Sequence, residues 1–328
     1  LLCCAVLLAF FVGCGSEGVG GSRPGGDDGA GGGGGGSDGD GAGGVGGTGG
    51  GAGGAGGGGN VEGEGFHLVG IGEDGVAVPI HGHLMLEFRV NRDLLGPGAF
   101  RVDLEAPLPA GVWVGTTATS APGTFEGIEL EEAIELGRLY LISGREVEAL
   151  DEPTTLRLRG SSANWEGTVE TEVRIVPWVS NLRDSGDGSL RDLVESLPAL
   201  RENPTISFAP WLVSPEHGVQ TIRLESPIYI SEGMRIEAPL GPDDTPLVRL
   251  DGQESTRLLQ VGTLEEAADG KRAEVHLSGF ELVRGKSAGQ GGCVENHFDL
   301  TLEKSLFEGC VATPTGAGGP SDGIGGGL

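Results

Sequence analysis

The sequence predicts an all-β protein in which an antiparallel sandwich is followed by a strand solenoid, and three observations lead to this fold class. Residues 274–309 repeat their apolar pattern after a shift of 25 residues, so that Val275 falls on Leu300 and Leu277 on Leu302. Residues 66–178 contain short alternating runs separated by Gly, Pro, Asp and Asn, which is typical of antiparallel strands. Residues 15–65 are mostly Gly and predict a disordered tether, because they have few apolar side chains to bury.

The repeat also predicts which residues fill the solenoid. A period in the twenties with Gly-rich corners indicates coils that bury their apolar faces on one another. The residues expected in the stacked interior are Phe280, Leu282, Leu302 and Phe307. The Gly pairs 291–292 and 326–327 are expected at corners where backbones lie close together. Since a new coil begins where the sequence stops, we expect 179–328 to be a C-terminally truncated solenoid.

The first residues predict an export signal. The apolar run over 1–12 is shorter than the ~20 residues that span a bilayer, and it has the length of a signal-peptide core. Phe11-Val12-Gly13-Cys14 resembles the lipobox of bacterial lipoproteins, although that family usually has Leu at the position of Phe11. The resemblance implies an N-terminally truncated signal over 1–14 and a lipid on Cys14. The alternative is an ordinary signal peptide with an unrelated Cys.

Composition limits the partners. The net charge of −27 disfavours nucleic acid, which needs clustered Lys and Arg. It is compatible with loose calcium binding, but no loop has the spaced acidic ligands of a calcium site, so no cofactor is predicted. The ~45-residue tether has a reach of about 35–40 Å, enough to hold a domain clear of a membrane.

Residues 66–178 are predicted to form one domain. The predicted strands are 83–90, 100–105, 111–116, 138–143, 154–160 and 168–176. The stretch 72–94 resembles the opening of bacterial Ig-like domains of surface proteins, and 136–140 resembles their later Tyr-containing strand. The resemblance implies an Ig-like β-sandwich that acts as a spacer or binding module.

Residues 179–208 contain the motif on which the second domain is assigned. Val179 and Asn181, then Gly-Ser-Leu-Arg at 188–191, then Ile206 and Phe208 resemble the N-terminal cap of right-handed parallel β-helices of the pectate-lyase-like superfamily. They are similar more narrowly to polymorphic outer membrane proteins of the Chlamydia type. Asp187 or Ser189 is predicted to cap a short helix.

The predicted cap helix has one apolar face, which would cover the open end of the solenoid. Its members are Leu190, Leu193, Val194 and Leu197, and Pro198 is expected to end or bend the helix. The strands predicted after the helix are 205–208, 220–224, 228–230, 234–236, 247–250 and 257–261.

Histidines and acids offer few candidates for catalysis. His81 and His83 are two residues apart and Glu87 follows, but a zinc site needs further ligands, so we interpret the histidines as exposed at a strand edge. His297 lies in Glu-Asn-His at 295–297, has no Ser or Asp partner in sight, and is interpreted as a surface or corner residue. Glu281 and Glu308 are expected to face outward together in a solvated acidic wall. No catalytic residue is predicted.

Cys293 and Cys310 are the only cysteines of the predicted folded part. In an exported protein such a pair suggests a disulfide. They are also compatible with two unbonded interior residues, because their separation of 17 residues does not match the repeat of 25. The two interpretations stay open at the level of sequence.

The sequence favours a lipid-anchored structural or adhesive protein of the bacterial outer membrane, cell surface or extracellular space. Its expected partners are the membrane, through the anchor, and extended glycans or surface proteins. The first alternative is a polysaccharide lyase or glycoside hydrolase of the pectate-lyase-like fold. This alternative requires acidic and basic residues grouped on one solenoid face, which the visible coils do not reveal. The second alternative is an autotransporter-type passenger.

Overall fold

The computed structural model describes residues 61–62, 65–71, 75–95, 98–131, 134–147 and 153–313. The described chain is predominantly β, which confirms the all-β class at that level. Cys14, the signal over 1–14, most of the predicted tether and the Gly pair 326–327 lie outside the described residues. Val61 and Glu62, inside the predicted tether of 15–65, are described and pair with β2 residues.

The two-sheet region, residues 61–176, contains ten strands among its described residues. They are β1 Val61–Glu62, β2 Phe66–Val69, β3 Val76–Pro79, β4 His83–Val90, β5 Phe100–Leu104, β6 Val112–Gly115, β7 Ile128–Leu130, β8 Leu136–Ser143, β9 Thr154–Ser161 and β10 Glu166–Val176. A single helical turn, α1 Arg92–Leu95, follows β4. All six predicted strands are confirmed with small shifts at their ends, whereas β1, β2, β3 and β7 were missed because they are short.

Two five-stranded sheets of the orders β1-β2-β4-β8-β6 and β3-β10-β9-β5-β7 build this region. Their pairs are antiparallel except β3 with β10, which is parallel. The sheets share an apolar core in which the ring of Phe66 lies 5.5 Å from that of Phe88 and 5.6 Å from that of Phe100. Because β3 and β10 run in the same direction, the segments that follow them leave the sheet at the same edge.

The parallel region, residues 178–313, contains fourteen further strands. They are β11 Trp178–Val179, β12 Thr205–Phe208, β13 Gln220–Arg223, β14 Ile228–Ile230, β15 Met234–Glu237, β16 Val248–Asp251, β17 Leu259–Val261, β18 Glu274–Ser278, β19 Phe280–Val283, β20 Lys286–Ala288, β21 Val294–Asn296, β22 Asp299–Glu303, β23 Leu306–Glu308 and β24 Val311–Thr313. The predicted strands from 205 to 261 are confirmed with shifted ends.

Every strand pair of the parallel region is parallel. The sheets have the orders β11-β12-β15-β18-β22, β13-β16-β19-β23, β14-β17-β21 and β20-β24. From β12 onward the chain visits the first three sheets in one fixed order and then returns to the first. Each circuit therefore adds one strand to each sheet, as expected for stacked coils.

The predicted 25-residue register is confirmed in the last two circuits. Val275 pairs with Leu300, Leu277 with Leu302, and Leu282 with Phe307. Phe280 and Leu282 are buried as predicted, whereas Leu302 and Phe307 are half-buried and pack against the core. Earlier circuits are longer, and the circuit from β15 to β18 contains helix α3 Leu264–Ala268, inserted between β17 and β18. Its Thr263–Glu266 capping box was a readable signal that the sequence analysis missed.

The cap helix is present as α2 Leu190–Ser196, followed by a 3-10 turn at Leu197–Ala199. Of the two predicted caps, Ser189 is the one that accepts a hydrogen bond from the Asp192 amide. The predicted apolar stripe is buried, since Leu190, Leu193, Val194 and Leu197 have at most 3% exposure. Two further 3-10 turns lie at Pro215–His217 and Pro242–Asp244.

Candidate functional site

Paired arginines and carboxylates cover the outer side of the sheet β13-β16-β19-β23. This charged face consists of Arg223, Arg249, Asp251, Glu281 and Arg284, which alternate with buried apolar residues along the strands. Arg249 lies opposite Glu281 in the register and donates to both of its carboxylate oxygens at 2.8 and 3.0 Å. Arg284 donates to Asp251 from Nε at 3.0 Å and also from a terminal nitrogen.

The ion pairs shift the pKa values of Arg249 and Asp251. The hydrogen bond with Glu281 raises the pKa of Arg249. Burial by itself raises the pKa of Asp251, but hydrogen bonds from Arg284 and the Gln253 amide outweigh burial, and the net pKa is lowered from 3.8. Asp251 is therefore ionised, and the carboxylates of Asp251 and Glu281 are both already engaged as acceptors. A general base needs a free carboxylate with a pKa near the working pH, so this arrangement fits ligand contact better than proton transfer.

The predicted acidic wall of Glu281 and Glu308 is wrong in detail. Glu281 is 8% exposed and neutralised by Arg249, and its register partner on β23 is Leu306. Glu308 is exposed and pairs in register with Val283. The expectation that no face groups acids with bases is also corrected. Arg249 and Glu281 are 32 residues apart, and only the uneven length of the circuits brings them side by side.

His297 lies in the corner between β21 and β22, in agreement with its predicted place. Its Nε2 is 3.0 Å from a carboxylate oxygen of Glu295, which also pairs with Arg257. Arg257 in turn donates to the Gly291 carbonyl at 2.9 Å. This network ties the Gly-rich corner to the strand, and no nucleophile is part of it.

The structure pairs Cys293 and Cys310 as a disulfide, with their Cα atoms 5.2 Å apart. Cys310 follows the 25-residue register and aligns with Gly285, not with Cys293. A Cβ on Gly285 would lie 2.6 Å from the Cys293 sulfur, so the missing side chain leaves the space that the sulfur occupies. The backbone also lies close to the predicted corner glycines 291–292, since a Cβ on Gly292 would lie 2.5 Å from the Val311 nitrogen.

A buried polar cluster joins the two-sheet region to the cap helix. His81 Nδ1 is 2.8 Å from Asp192 Oδ2, and both side chains are at most 4% exposed. Asp192 also accepts from the Gly188 amide at 2.8 Å and from Arg145 at 3.1 Å. Arg145 extends the cluster to the exposed Asp187 at 2.6 Å. Burial raises the pKa of Asp192, but the hydrogen bonds from His81 and Gly188 outweigh it and the net pKa is lowered from 3.8.

The predicted exposed position of His81 is therefore wrong. His81 lies in the turn after β3 with φ of 55°, not on a strand edge. The parallel pairing of β3 with β10 brings this turn to the start of the parallel region. His83 is exposed at the start of β4, and Glu87 forms an ion pair with Arg138 at 3.0 Å. No sequence signal could have joined His81 to an acid 111 residues away.

Beside this cluster lies the junction cavity, with a volume of about 630 Å³. The two-sheet region contributes His81, His83, Trp113 and Ser143, and the parallel region contributes Asn181 and Arg183. Neighbouring groups enclose part of the His83 ring, and this desolvation lowers its pKa below 6.5, so its imidazole is neutral at neutral pH. The cavity thus combines one aromatic wall with several hydrogen-bonding groups, which is the usual composition of a small-ligand site.

Comparison of the chain with protein-family models, with curated proteins and with solved structures found no match. The charged face and the junction cavity are the features of the described residues that bear on function.

No group of three or more His, Cys, Asp or Glu side chains in the described ranges is arranged to hold a metal ion. In the same part of the chain, no helix combines the length and the apolarity that crossing a bilayer requires.

Proposed function

We propose that this chain is a lipid-anchored structural or adhesive protein of the bacterial cell surface. In this proposal an Ig-like β-sandwich precedes a right-handed parallel β-helix, and the helix presents its outer walls to extended glycans or surface proteins. The supporting observation is that each circuit of the parallel region adds one strand to each of three sheets. Such stacking builds a long regular wall from few residues per coil, which suits a display function.

The charged face supports binding over catalysis. Its carboxylates are held by arginines at 2.8 to 3.0 Å, so neither Asp251 nor Glu281 is free to take a proton. Arg223 is exposed on the same face, opposite Asp251. Guanidinium groups that are ordered by neighbouring acids can donate to the oxygens of a ligand without much further loss of side-chain freedom.

The lipid anchor can be tested on Cys14. Cells that express the protein from its own gene should incorporate a labelled fatty acid into it, and Cys14→Ser should lose the label and release the protein from membranes. Cys3→Ser is the matched control, because it changes a cysteine inside the same predicted signal and should keep the label. Added protease should digest the parallel region on intact cells.

Two outcomes would overturn the proposal. Equal labelling of wild type and Cys14→Ser would contradict a lipid anchor on Cys14. If the protein is fully protected from protease on intact cells but is digested after lysis, the proposed location on the cell surface is wrong. The polysaccharide lyase or glycoside hydrolase stays a prediction: the charged face groups acids with bases as that alternative requires, but its carboxylates are held by arginines. The autotransporter-type passenger also stays a prediction.

A further inference from the structure

Two buried polar atoms without partners lie in one wall of the junction cavity. Within the described part of the chain, His81 Nε2 and Ser143 Oγ make no hydrogen bond, although the residues are only 5% and 2% exposed. The Ser143 amide donates to the Gly82 carbonyl at 2.9 Å, so the two residues occupy adjacent positions. Buried polar groups nearly always have a partner. A ligand hydroxyl would satisfy either atom, because it can both donate and accept.

The cavity also has a fixed aromatic surface on Trp113. Trp113 is half-buried, and its indole nitrogen donates to the Ser120 carbonyl at 2.7 Å. A Cβ on Gly144 would lie 2.8 Å from the indole ring, so Gly144 leaves the space in which the ring rests. The ring face carries partial negative charge and attracts the polarised C–H groups of a sugar. Since the indole is already held in place, binding would cost little side-chain ordering.

The rim of the cavity offers further polar groups in fixed positions. The side-chain nitrogen Nδ2 of Asn181 donates to the Asp187 backbone carbonyl at 2.7 Å. The side-chain oxygen Oδ1 of Asn181 accepts from the Arg183 backbone amide at 3.0 Å. The Arg183 guanidinium is exposed and has no ion pair among the described residues. It can donate to a ligand that enters from solvent.

We propose that the junction cavity binds one sugar unit of a neutral glycan, with the C–H face of the ring on Trp113 and hydroxyls on His81 and Ser143. The cavity volume of about 630 Å³ is in the range of small-ligand sites, roughly 300–1,000 Å³. A neutral glycan is favoured over a polyanion because the chain has a net charge of −27. This inference deepens the proposed adhesive function, on which it rests for the source of the glycan.

The test uses the purified full chain and a panel of galactose, mannose, glucose, N-acetylglucosamine and their short oligosaccharides. Saturation-transfer NMR detects binding, and calorimetry measures affinity. We expect binding of at least one neutral sugar, loss of that binding in Trp113→Ala, and a loss of about tenfold in affinity, or ~1.4 kcal/mol, in Ser143→Ala. Trp113→Phe should retain part of the affinity.

Trp165→Phe is the matched control, since Trp165 is a half-buried tryptophan of the two-sheet region that does not line the junction cavity, and its change should leave sugar binding unchanged. Near-ultraviolet circular dichroism and thermal unfolding establish that each variant folds. Trp113→Phe keeps the test valid if Trp113→Ala fails to fold.

Three results would overturn the inference. One is that no neutral sugar binds and a crystal structure reveals only water between His81 and Ser143. Another is that only anionic sugars bind, through Arg183. The third is that Trp113→Ala or Trp113→Phe binds as tightly as wild type. These readouts use purified protein, so they are separate from the lipid and surface tests, and either proposal can fail without the other.

Discussion

His81 and Asp192, 111 residues apart in the chain, share a buried hydrogen bond of 2.8 Å that links the two-sheet region to the cap helix. The same carboxylate accepts from the Gly188 amide at the start of the helix and from Arg145. One acid therefore fixes the residue that precedes the N-cap Ser189 and holds the histidine turn at the same time. The two regions are therefore joined by buried hydrogen bonds as well as by the chain between them.

Replacement of Asp192 by Ala should destabilise the protein strongly. Loss of a buried charged partner leaves the Gly188 amide and His81 unsatisfied, and we expect a decrease of about 2–4 kcal/mol in the free energy of unfolding. Urea denaturation measures it. Asp187→Ala is the matched control, because Asp187 is exposed and pairs only at the surface with Arg145, so it should cost about 0–1 kcal/mol. Equal losses in the two variants would contradict the role of Asp192.

Acid should remove the contribution of Asp192. Its pKa is lower in the folded protein than the ordinary value of 3.8, so its stabilisation is present above that value and is lost as the pH falls through the folded pKa. Between neutral pH and pH 3, the difference in unfolding free energy between wild type and Asp192→Asn should therefore shrink towards acid. A difference that stays constant over this range would contradict the assignment.

Replacement of Ser189 by Ala should weaken the cap helix. Ser189 is fully buried and accepts from the Asp192 amide at 3.2 Å, and loss of such an N-cap costs about 0.5–2 kcal/mol. Thermal unfolding followed by circular dichroism measures the change. Ser196→Ala is the control: its hydroxyl donates back to the Asp192 carbonyl at 2.7 Å inside the helix, a bond that contributes little to helix stability. A larger effect in Ser196→Ala would argue against Ser189 as the cap.

Replacement of Gly137 by Ala should overpack the two-sheet core. Gly137 pairs with Phe88 across β8 and β4, and a Cβ there would lie 2.0 Å from the phenyl ring. We expect a loss of about 1–3 kcal/mol in unfolding free energy. Combining Gly137→Ala with Phe88→Leu should cost less than the sum of the two single changes, because the smaller side chain relieves the overlap. Simple additivity in urea denaturation would show that the ring and position 137 do not compete for space.

The cysteine pair should resist thiol reagents in protein isolated without reductant. Closing a loop with the 17-residue separation of Cys293 and Cys310 should stabilise the fold by about 3 kcal/mol. The Cys293→Ala/Cys310→Ala variant should lose that stabilisation and should no longer respond to added reductant. Thiol titration together with urea denaturation tests both points. Free thiols in the native protein would contradict the pairing.

Local pattern was enough to predict much of the fold. Alternation gave the long strands such as β4 and β10, and the 25-residue shift gave the pairing of Val275 with Leu300. The cap helix followed from its apolar stripe and from Ser189. These features depend on residues that are near in the chain or 25 residues away in the next circuit. A pattern in the sequence is therefore enough to predict them. The charged face did not follow, because inserted segments make the circuits unequal and hide which arginine lies beside which acid.

The sequence by itself determined that this chain is all-β, where its long strands and cap helix lie, and which apolar residues face inward. Only the tertiary structure decided that His81 is buried against Asp192 and that Trp113, Ser143 and Asn181 line one cavity. The physical reason is that apolar periodicity specifies which face of each strand or helix is buried. Polar contacts at a junction depend instead on where the loops of two different sheets meet in space. The parallel pairing of β3 with β10 sets that position, and no local pattern encodes it.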